Sequence, residues 1–191
     1  DRSVSRGLGD VYKRQLHIQI IYDEPKCFNS MMAHYGKFDG VNNYIALVGE
    51  KSKSDESLGY YGEQIVLKAQ ELGLNTCWVA MTHGKSKAQI DKGEKLVCLI
   101  SLGYGKTAGA AHKSKRLSEV CNYKKDMPEW FLSGMEAALL APTAMNRQKF
   151  YFELLPDNSI KITCGKGLYT KLDLGIVKYH FEVVSGKVNW R

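Results

Sequence analysis

The sequence predicts an α+β fold in which helices pack on a mostly antiparallel sheet. Apolar runs typical of strands mix with amphipathic segments without strict strand–helix–strand alternation, and strand pairs joined by turn residues lie near the C-terminal end. The chain has 191 residues, of which 44% are hydrophobic, enough for one buried core. We therefore expect a single domain over residues 16–191.

The N-terminal half contains clear strand signals. Apolar and polar residues alternate over residues 16–22, which predicts a strand, and a short helical stretch is expected at 28–35. Continuous apolar runs predict buried strands at 44–49 and 96–103. Between these two strands, the sequence favours a short polar helix at 85–92.

The clearest predicted helix covers residues 58–72. Its apolar residues recur at spacings of three and four, which would place them on one face: Leu58, Tyr61, Ile65, Ala69 and Leu72. Gly73 suits the left-handed position that ends many helices, and Leu74 would then pack back against the helix. Residues 76–80 should form a strand end or an extended loop.

A connection with little periodicity, residues 104–125, leads into the next predicted helix. Asp126 and Pro128 are typical of helix starts. The apolar residues that would form its buried face are Phe131, Met135 and Ala138, with Ala141 at the end. Pro142 should stop this helix, because proline has no N–H to continue it.

The last quarter predicts a strand pair and a helix. Strands at 150–154 and 159–163 should flank a turn at 156–158, whose Pro-Asp-Asn sequence favours reversal of the chain. Apolar residues at helical spacing predict a helix over 168–179. Residues 182–190 are expected to form a hairpin.

Composition and charge argue against several function classes. No run of about 18 apolar residues occurs, so no membrane-spanning helix is expected. The net charge is +7, and its lysines are spread along the chain, which indicates solubility. The one dense basic group, Lys113, Lys115 and Arg116, lacks interleaved aromatic residues. A nucleic-acid-binding module is therefore the least favoured alternative.

The cysteines and histidines indicate neither a metal site nor a disulfide framework. Five cysteines lie far apart without a CxxC pair, as suits a protein of the reducing cytoplasm. The histidines lack metal-ligand spacing, and His180 is expected to be a packed side chain. Cys77, beside Trp78, is expected to be a small buried hydrophobe rather than a nucleophile.

The sequence pattern of residues 1–15 is not typical of a folded domain. They have neither an amphipathic period nor an apolar core, and they look like translated adapter sequence. We interpret them as a non-native leader and expect part of the N-terminus to be missing.

Two segments carry a family resemblance. Residues 70–79 contain Gly73-Leu-Asn-Thr-Cys-Trp78, and residues 140–152 contain Ala141-Pro-Thr-Ala-Met-Asn-Arg-Gln148. Both resemble the nitroreductase family, in which a helix ends in a GLGT-x-W turn and an APS-x-x-N-x-QPW-x-F segment touches the flavin. Here Thr143 stands for the usual serine and Lys149 for the usual proline. The order of the two segments resembles a thermophile-type subgroup.

The resemblance implies an FMN site. Its cofactor-binding residues would be Pro142, Thr143, Asn146, Gln148, Thr76, Cys77 and Trp78. The amides of Asn146 and Gln148 would share one face if their segment were extended. Relatives also grip the FMN phosphate with an N-terminal Arg-Arg-Ser-x-Arg motif. We interpret the similarity of residues 2–6 to that motif as coincidence. Lys171 and Lys178 are only weak substitutes for it as ligands of the phosphate.

The implied activity is electron transfer from NAD(P)H through bound FMN to a nitroaromatic, a quinone or a similar acceptor. The flavin would carry the chemistry, so no catalytic side chain is expected. A homodimer is one expectation of the resemblance, beside a single chain that mimics two. The main alternative is a protein of the same fold with weak or lost flavin binding, acting as a binding or structural protein.

Overall fold

A computed structural model describes residues 16–34, 36–51, 53–107, 109–186 and 188–191. The leader prediction for residues 1–15, with its arginine motif at 2–6, lies outside the described residues. The chain forms two compact units. Unit 1 contains the described residues up to Ser54 together with Cys77–Gly103, and unit 2 contains Asp55–Thr76 and Tyr104–Arg191. The single domain expected over residues 16–191 stays a prediction.

Unit 1 is built on a four-stranded sheet with the order β1-β2-β4-β3. These strands are β1 (Leu16–Ile21), β2 (Asn43–Glu50), β3 (Asn75–Val79) and β4 (Glu94–Gly103). The central strand β2 pairs antiparallel with both β1 and β4, which confirms the predicted strands and their mostly antiparallel arrangement. The helical stretch expected at 28–35 is present as a 3₁₀ turn, Pro25–Phe28, followed by the short helix α1, Met31–His34.

The predicted helix at 85–92 is wrong, because the backbone there is bound by side chains of other segments. The N–H of Lys87 donates to the Glu24 carboxylate at 3.1 Å and to the Tyr44 hydroxyl at 3.2 Å. The N–H of Gln89 donates to the side-chain oxygen of Gln19 at 2.8 Å. These bonds replace the helical ones that the segment would otherwise need.

Unit 2 combines three long helices with a hairpin. Its elements are α2 (Asp55–Glu71), α3 (Leu117–Val120), α4 (Glu129–Leu140), β5 (Phe150–Leu154), β6 (Ile160–Cys164) and α5 (Thr170–Ser185). α5 packs against both α2 and α4, and β5 pairs antiparallel with β6. The three predicted helices and the strand pair at 150–163 are confirmed, and α3 is an addition within the connection at 104–125. No helix in the described part of the chain has the length and apolarity to cross a membrane.

Helices α2 and α5 meet at backbone contact distance through two glycines. A Cβ added to Gly175 would lie 1.9 Å from the carbonyl oxygen of Glu56, and one added to Gly59 would lie 2.0 Å from that of Leu172. The predicted face of α2 is therefore partly wrong, since Tyr61 is 38% exposed and Leu72 is 64% exposed. The small residues, not the largest apolar ones, define the packed face.

The end of α2 forms as predicted. Gly73 adopts a φ of +76°, its N–H donates to the carbonyl of Gln70, and the N–H of Leu74 donates to the carbonyl of Ala69. These two bonds satisfy carbonyls that a helix end otherwise leaves unpaired. The turn then passes directly into β3.

The predicted hairpin at 182–190 is wrong, because α5 continues to Ser185 and ends at Gly186. The aromatic ring of Phe181 explains the longer helix. It lies at centroid distances of 5.2 Å from Phe152 and 5.8 Å from Trp190. The segment after Gly186 runs beside β6 instead, where Trp190 forms a parallel bridge with Ile160.

We predict that Gly175→Ala lowers the free energy of unfolding by at least about 2 kcal/mol, because the added methyl group forces two helix backbones apart. The midpoint of urea denaturation measures this loss. Gly109→Ala is the matched control, since a Cβ there meets no described atom within 4 Å. Equal midpoints for both variants would show that the helices do not depend on this contact.

Candidate functional site

The segment after α4 forms a tight turn, so the extended backbone on which Asn146 and Gln148 would share one face is not present. A 3₁₀ turn covers Ala144–Asn146, and three side-chain-bearing residues adopt positive φ: Met145 at 53°, Asn146 at 50° and Gln148 at 46°. Asn146 is exposed while Gln148 is only 1% exposed, so the two amides do not share one face. Such a concentration of left-handed residues is unfavourable unless surrounding contacts enforce it.

Thr143 closes this turn, directly after Pro142. Its carbonyl accepts the N–H of Asn146 at 2.8 Å, and its hydroxyl accepts the N–H of Gln148 at 3.1 Å. Four of the predicted site residues are therefore brought together in one turn of unit 2.

The buried amide of Gln148 has a fixed orientation and an unused donor. Its side-chain oxygen accepts the N–H of Lys115 at 2.7 Å, which identifies the oxygen because an NH₂ group cannot accept that bond. The other end, Nε2, is buried and has no hydrogen-bond partner among the described residues. A buried donor of this kind calls for an acceptor supplied by something other than those residues.

Residues 112–115, here called the strap, lie across the turn and hold it. The His112 ring and the Ser114 hydroxyl both donate to the carbonyl of Leu139, at 2.9 and 3.2 Å. The ammonium of Lys115 donates to the carbonyl of Gln148 at 3.0 Å. The side-chain NH₂ of Asn146 donates to the carbonyl of Lys113 at 2.9 Å. Nothing in the sequence signals the strap, because it lies in the aperiodic connection.

Asp173 supports the turn from α5. Its carboxylate accepts the N–H of Ala144 at 2.9 Å, and its side chain is nearly buried. Burial raises the pKa of Asp173 to about 6, and the bond from Ala144 offsets only part of that effect. The aspartate within the otherwise apolar run Leu172-Asp-Leu-Gly-Ile176 could have indicated this contact from the sequence, because a buried acid needs a polar partner.

The other predicted site residues lie on β3. Thr76 is the last residue of its segment in unit 2, and Cys77 and Trp78 belong to unit 1. Cys77 is exposed, so the expectation of a buried hydrophobe is wrong. Neighbouring atoms nevertheless desolvate the thiol and raise its pKa, which disfavours the thiolate that a nucleophile requires. Trp78 is half-buried.

Lys171 and Lys178 were the two weak candidates for binding the FMN phosphate, and Lys178 is already paired with other groups. The ammonium of Lys178 contacts the Glu56 carboxylate at 2.5 Å and lies 5.1 Å from the ring centroid of Trp190. Lys171 is exposed. Lys149, at the position of the usual proline, donates from its ammonium to the carbonyl of Lys166 at 2.8 Å.

One group in unit 1 has metal-type ligand atoms close together: His17, Asp91 and Glu94. The carboxylate of Glu94 contacts His17 at 3.0 Å and accepts the N–H of Asp91 at 2.9 Å. Hydrogen bonds account for this arrangement, and we assign it no metal.

Comparison with known proteins identifies the family. Residues 9–185 match the family described as "Putative TM nitroreductase". No curated protein matches the sequence. A crystal structure described as a putative nitroreductase from Thermotoga maritima is 23% identical with a TM-score of 0.66, over 93% of this chain and 69% of that one. That likeness shows the fold.

An FMN-dependent nitroreductase from Clostridium difficile is 22% identical over 61% of this chain and 76% of its own, with a TM-score of 0.39 that is too low to show a shared fold. The family match covers both segments that carry the resemblance, and the structural match extends the likeness to nearly the whole chain. The chain therefore belongs to this nitroreductase family, whose members are oxidoreductases.

Proposed function

We propose that the protein is an FMN-dependent oxidoreductase that takes electrons from NAD(P)H and passes them to a nitroaromatic, a quinone or a similar acceptor. The buried Nε2 of Gln148 carries this proposal. A buried donor without an acceptor costs about 1–3 kcal/mol, which a ligand with a suitable acceptor would recover. The pyrimidine edge of the FMN ring offers such acceptors, so the residues present fit this cofactor.

The turn would hold the flavin through a donor of fixed direction. Gln148 would donate from Nε2, and Lys115 keeps the amide from rotating. Pro142 and Thr143 shape the turn, and Asn146 anchors the strap through its own amide. The resemblance also assigns Thr76, Cys77 and Trp78 to the cofactor, and that part of the assignment stays a prediction.

When bound, FMN supplies the redox chemistry, since it accepts a hydride from a nicotinamide and returns two electrons to an acceptor. The chain's part is to bind and orient. A preorganised neutral donor at the pyrimidine edge favours negative charge there without any reorganisation of the protein.

We propose a cytoplasmic location, because the five cysteines are widely spaced in the sequence and form no CxxC pair. The homodimer implied by the resemblance stays a prediction.

In this proposal Asp173 positions the turn through its bond to Ala144, and its raised pKa makes the free energy of unfolding depend on pH. Its pKa is about 6 in the folded chain, whereas an unfolded aspartate titrates near about 4. The folded chain thus binds this proton more tightly than the unfolded chain does. The contribution of Asp173 to the free energy of unfolding must therefore fall as the pH rises from about 4 to about 6, and stay low above that window.

The first test is the visible absorption spectrum of purified protein after FMN is added and free flavin is removed by gel filtration. We predict retained flavin bands for the wild type and an FMN dissociation constant raised at least about tenfold in Gln148→Glu and Gln148→Met. Glutamate keeps an acceptor for Lys115 but removes the donor, and methionine removes both.

Gln64→Glu makes the same chemical change at an exposed position of α2 and should bind FMN like the wild type. Circular dichroism confirms that each variant folds. Wild-type protein that retains no flavin contradicts the proposal and favours a protein of this fold without flavin chemistry. Unchanged FMN binding in both Gln148 variants would show that the cofactor does not bind at this turn.

We predict that Asp173→Asn becomes more stable relative to the wild type as the pH rises from 4 to 8, by about 1–3 kcal/mol. Asparagine keeps an oxygen for Ala144 and cannot ionise. Urea denaturation at both pH values measures the difference.

Asp157→Asn is the control with the opposite sign. A hydrogen bond from the Ser159 side chain lowers the pKa of Asp157, so removing this acid should cost more at pH 8 than at acid pH. The same trend in both variants would exclude the burial of Asp173 as the cause.

A further inference from the structure

Seven cations lie on three segments that hydrogen bonds join at the Gln148 turn: 113–116, 147–149 and 166–171. They are Lys113, Lys115, Arg116, Arg147, Lys149, Lys166 and Lys171. Lys115 joins the first segment to the second, and Lys149 joins the second to the third through the carbonyl of Lys166. The N–H of Gly165 also donates to the carbonyl of Lys149 at 2.9 Å. We call these seven residues the cationic surface.

These charges lack neutralising partners. Within the residues that the structure describes, no carboxylate forms an ion pair with any of the seven, whereas Lys178, Lys161 and Arg191 each have an acidic partner. The nearest acids in sequence are otherwise engaged. Asp173 is buried against Ala144, and Glu119 accepts the N–H of Arg116. Uncompensated like charges on one face raise the local potential by several kT and attract anions.

The cationic surface is partly preorganised. The ammonium groups of Lys115 and Lys149 are fixed by backbone carbonyls at 3.0 and 2.8 Å, so binding an anion would restrict them little further. The other five side chains are exposed and free to reach a ligand.

We propose that the cationic surface binds the phosphate on the adenine ribose of the electron donor and thereby selects NADPH over NADH. This inference rests on the proposed function. The two donors differ by one phosphate on the adenine ribose, which adds about two negative charges near neutral pH. Lysine and arginine form charge-assisted hydrogen bonds with such a group. Seven unneutralised cations also exceed what the single phosphate of FMN requires.

The test is calorimetric binding of NADP⁺ and NAD⁺ to the purified protein, with flavin content read separately from the absorption spectrum. We expect NADP⁺ to bind about tenfold tighter than NAD⁺ at low salt, and this ratio to fall as salt is added. Lys113→Gln with Lys166→Gln should remove most of the preference while leaving the affinity for NAD⁺ within about twofold. The KM for NADPH should rise correspondingly.

The matched control is Lys124→Gln with Lys125→Gln, which removes the same charge at exposed positions outside the three segments. It should keep the preference. Equal affinity of the wild type for NADP⁺ and NAD⁺ overturns the inference. So does a double variant that loses FMN but not riboflavin, because the cations would then hold the flavin phosphate. Displacement of NADP⁺ by a single-stranded DNA oligomer at equimolar concentration would instead assign the surface to nucleic acid.

Failure of the proposed function is recognised separately. Protein that retains no flavin yet prefers NADP⁺ contradicts the cofactor and supports the cationic surface. Protein that retains flavin but shows no preference supports the cofactor and overturns the surface.

Discussion

The backbone contact between α2 and α5 fixes the position of α5, and most of unit 2 follows from it. Gly59 and Gly175 permit this approach because neither carries a Cβ. The buried Glu63 on α2 accepts a hydrogen bond from His180 on α5 at 2.8 Å, so the predicted packed histidine is confirmed. Further along α5, Phe181 packs against Phe152 and Trp190, and near the start of the helix Asp173 supports the turn after α4. One helix thus connects the core to the candidate site.

The turn shows how a candidate site departs from the best local structure. Three positive φ angles and a buried amide with an unused donor are unfavourable for stability, and the strap and Asp173 oppose that cost. Stability given up at such a position is typical of binding sites, where the ligand completes the missing contacts. In our proposal the same reasoning applies to the cationic surface, whose like charges repel one another and would be compensated by a bound phosphate.

The sequence predicted the elements whose signals are local. β2 and β4 are continuous apolar runs, and the Gly73 turn depends on one residue type. The failures depend on distant partners. The segment at 85–92 is bound by Glu24 and Tyr44, and the extension of α5 depends on the partners of Phe181. Motifs located the turn, but the burial of Gln148 requires Lys115, 33 residues earlier in the chain. Periodicity carries no information about such contacts.

The positions of the three tryptophans make the intrinsic fluorescence of the protein a probe of its unfolding. Two of the three tryptophans, Trp130 and Trp190, lie around Phe181 in unit 2, and Trp78 lies in unit 1. Replacing the first two by phenylalanine leaves Trp78 as the sole indole emitter. The denaturation curve of this variant, compared with that of a variant in which Trp78 alone is replaced, would then show whether the two units unfold together or in sequence, without any label attached to the chain.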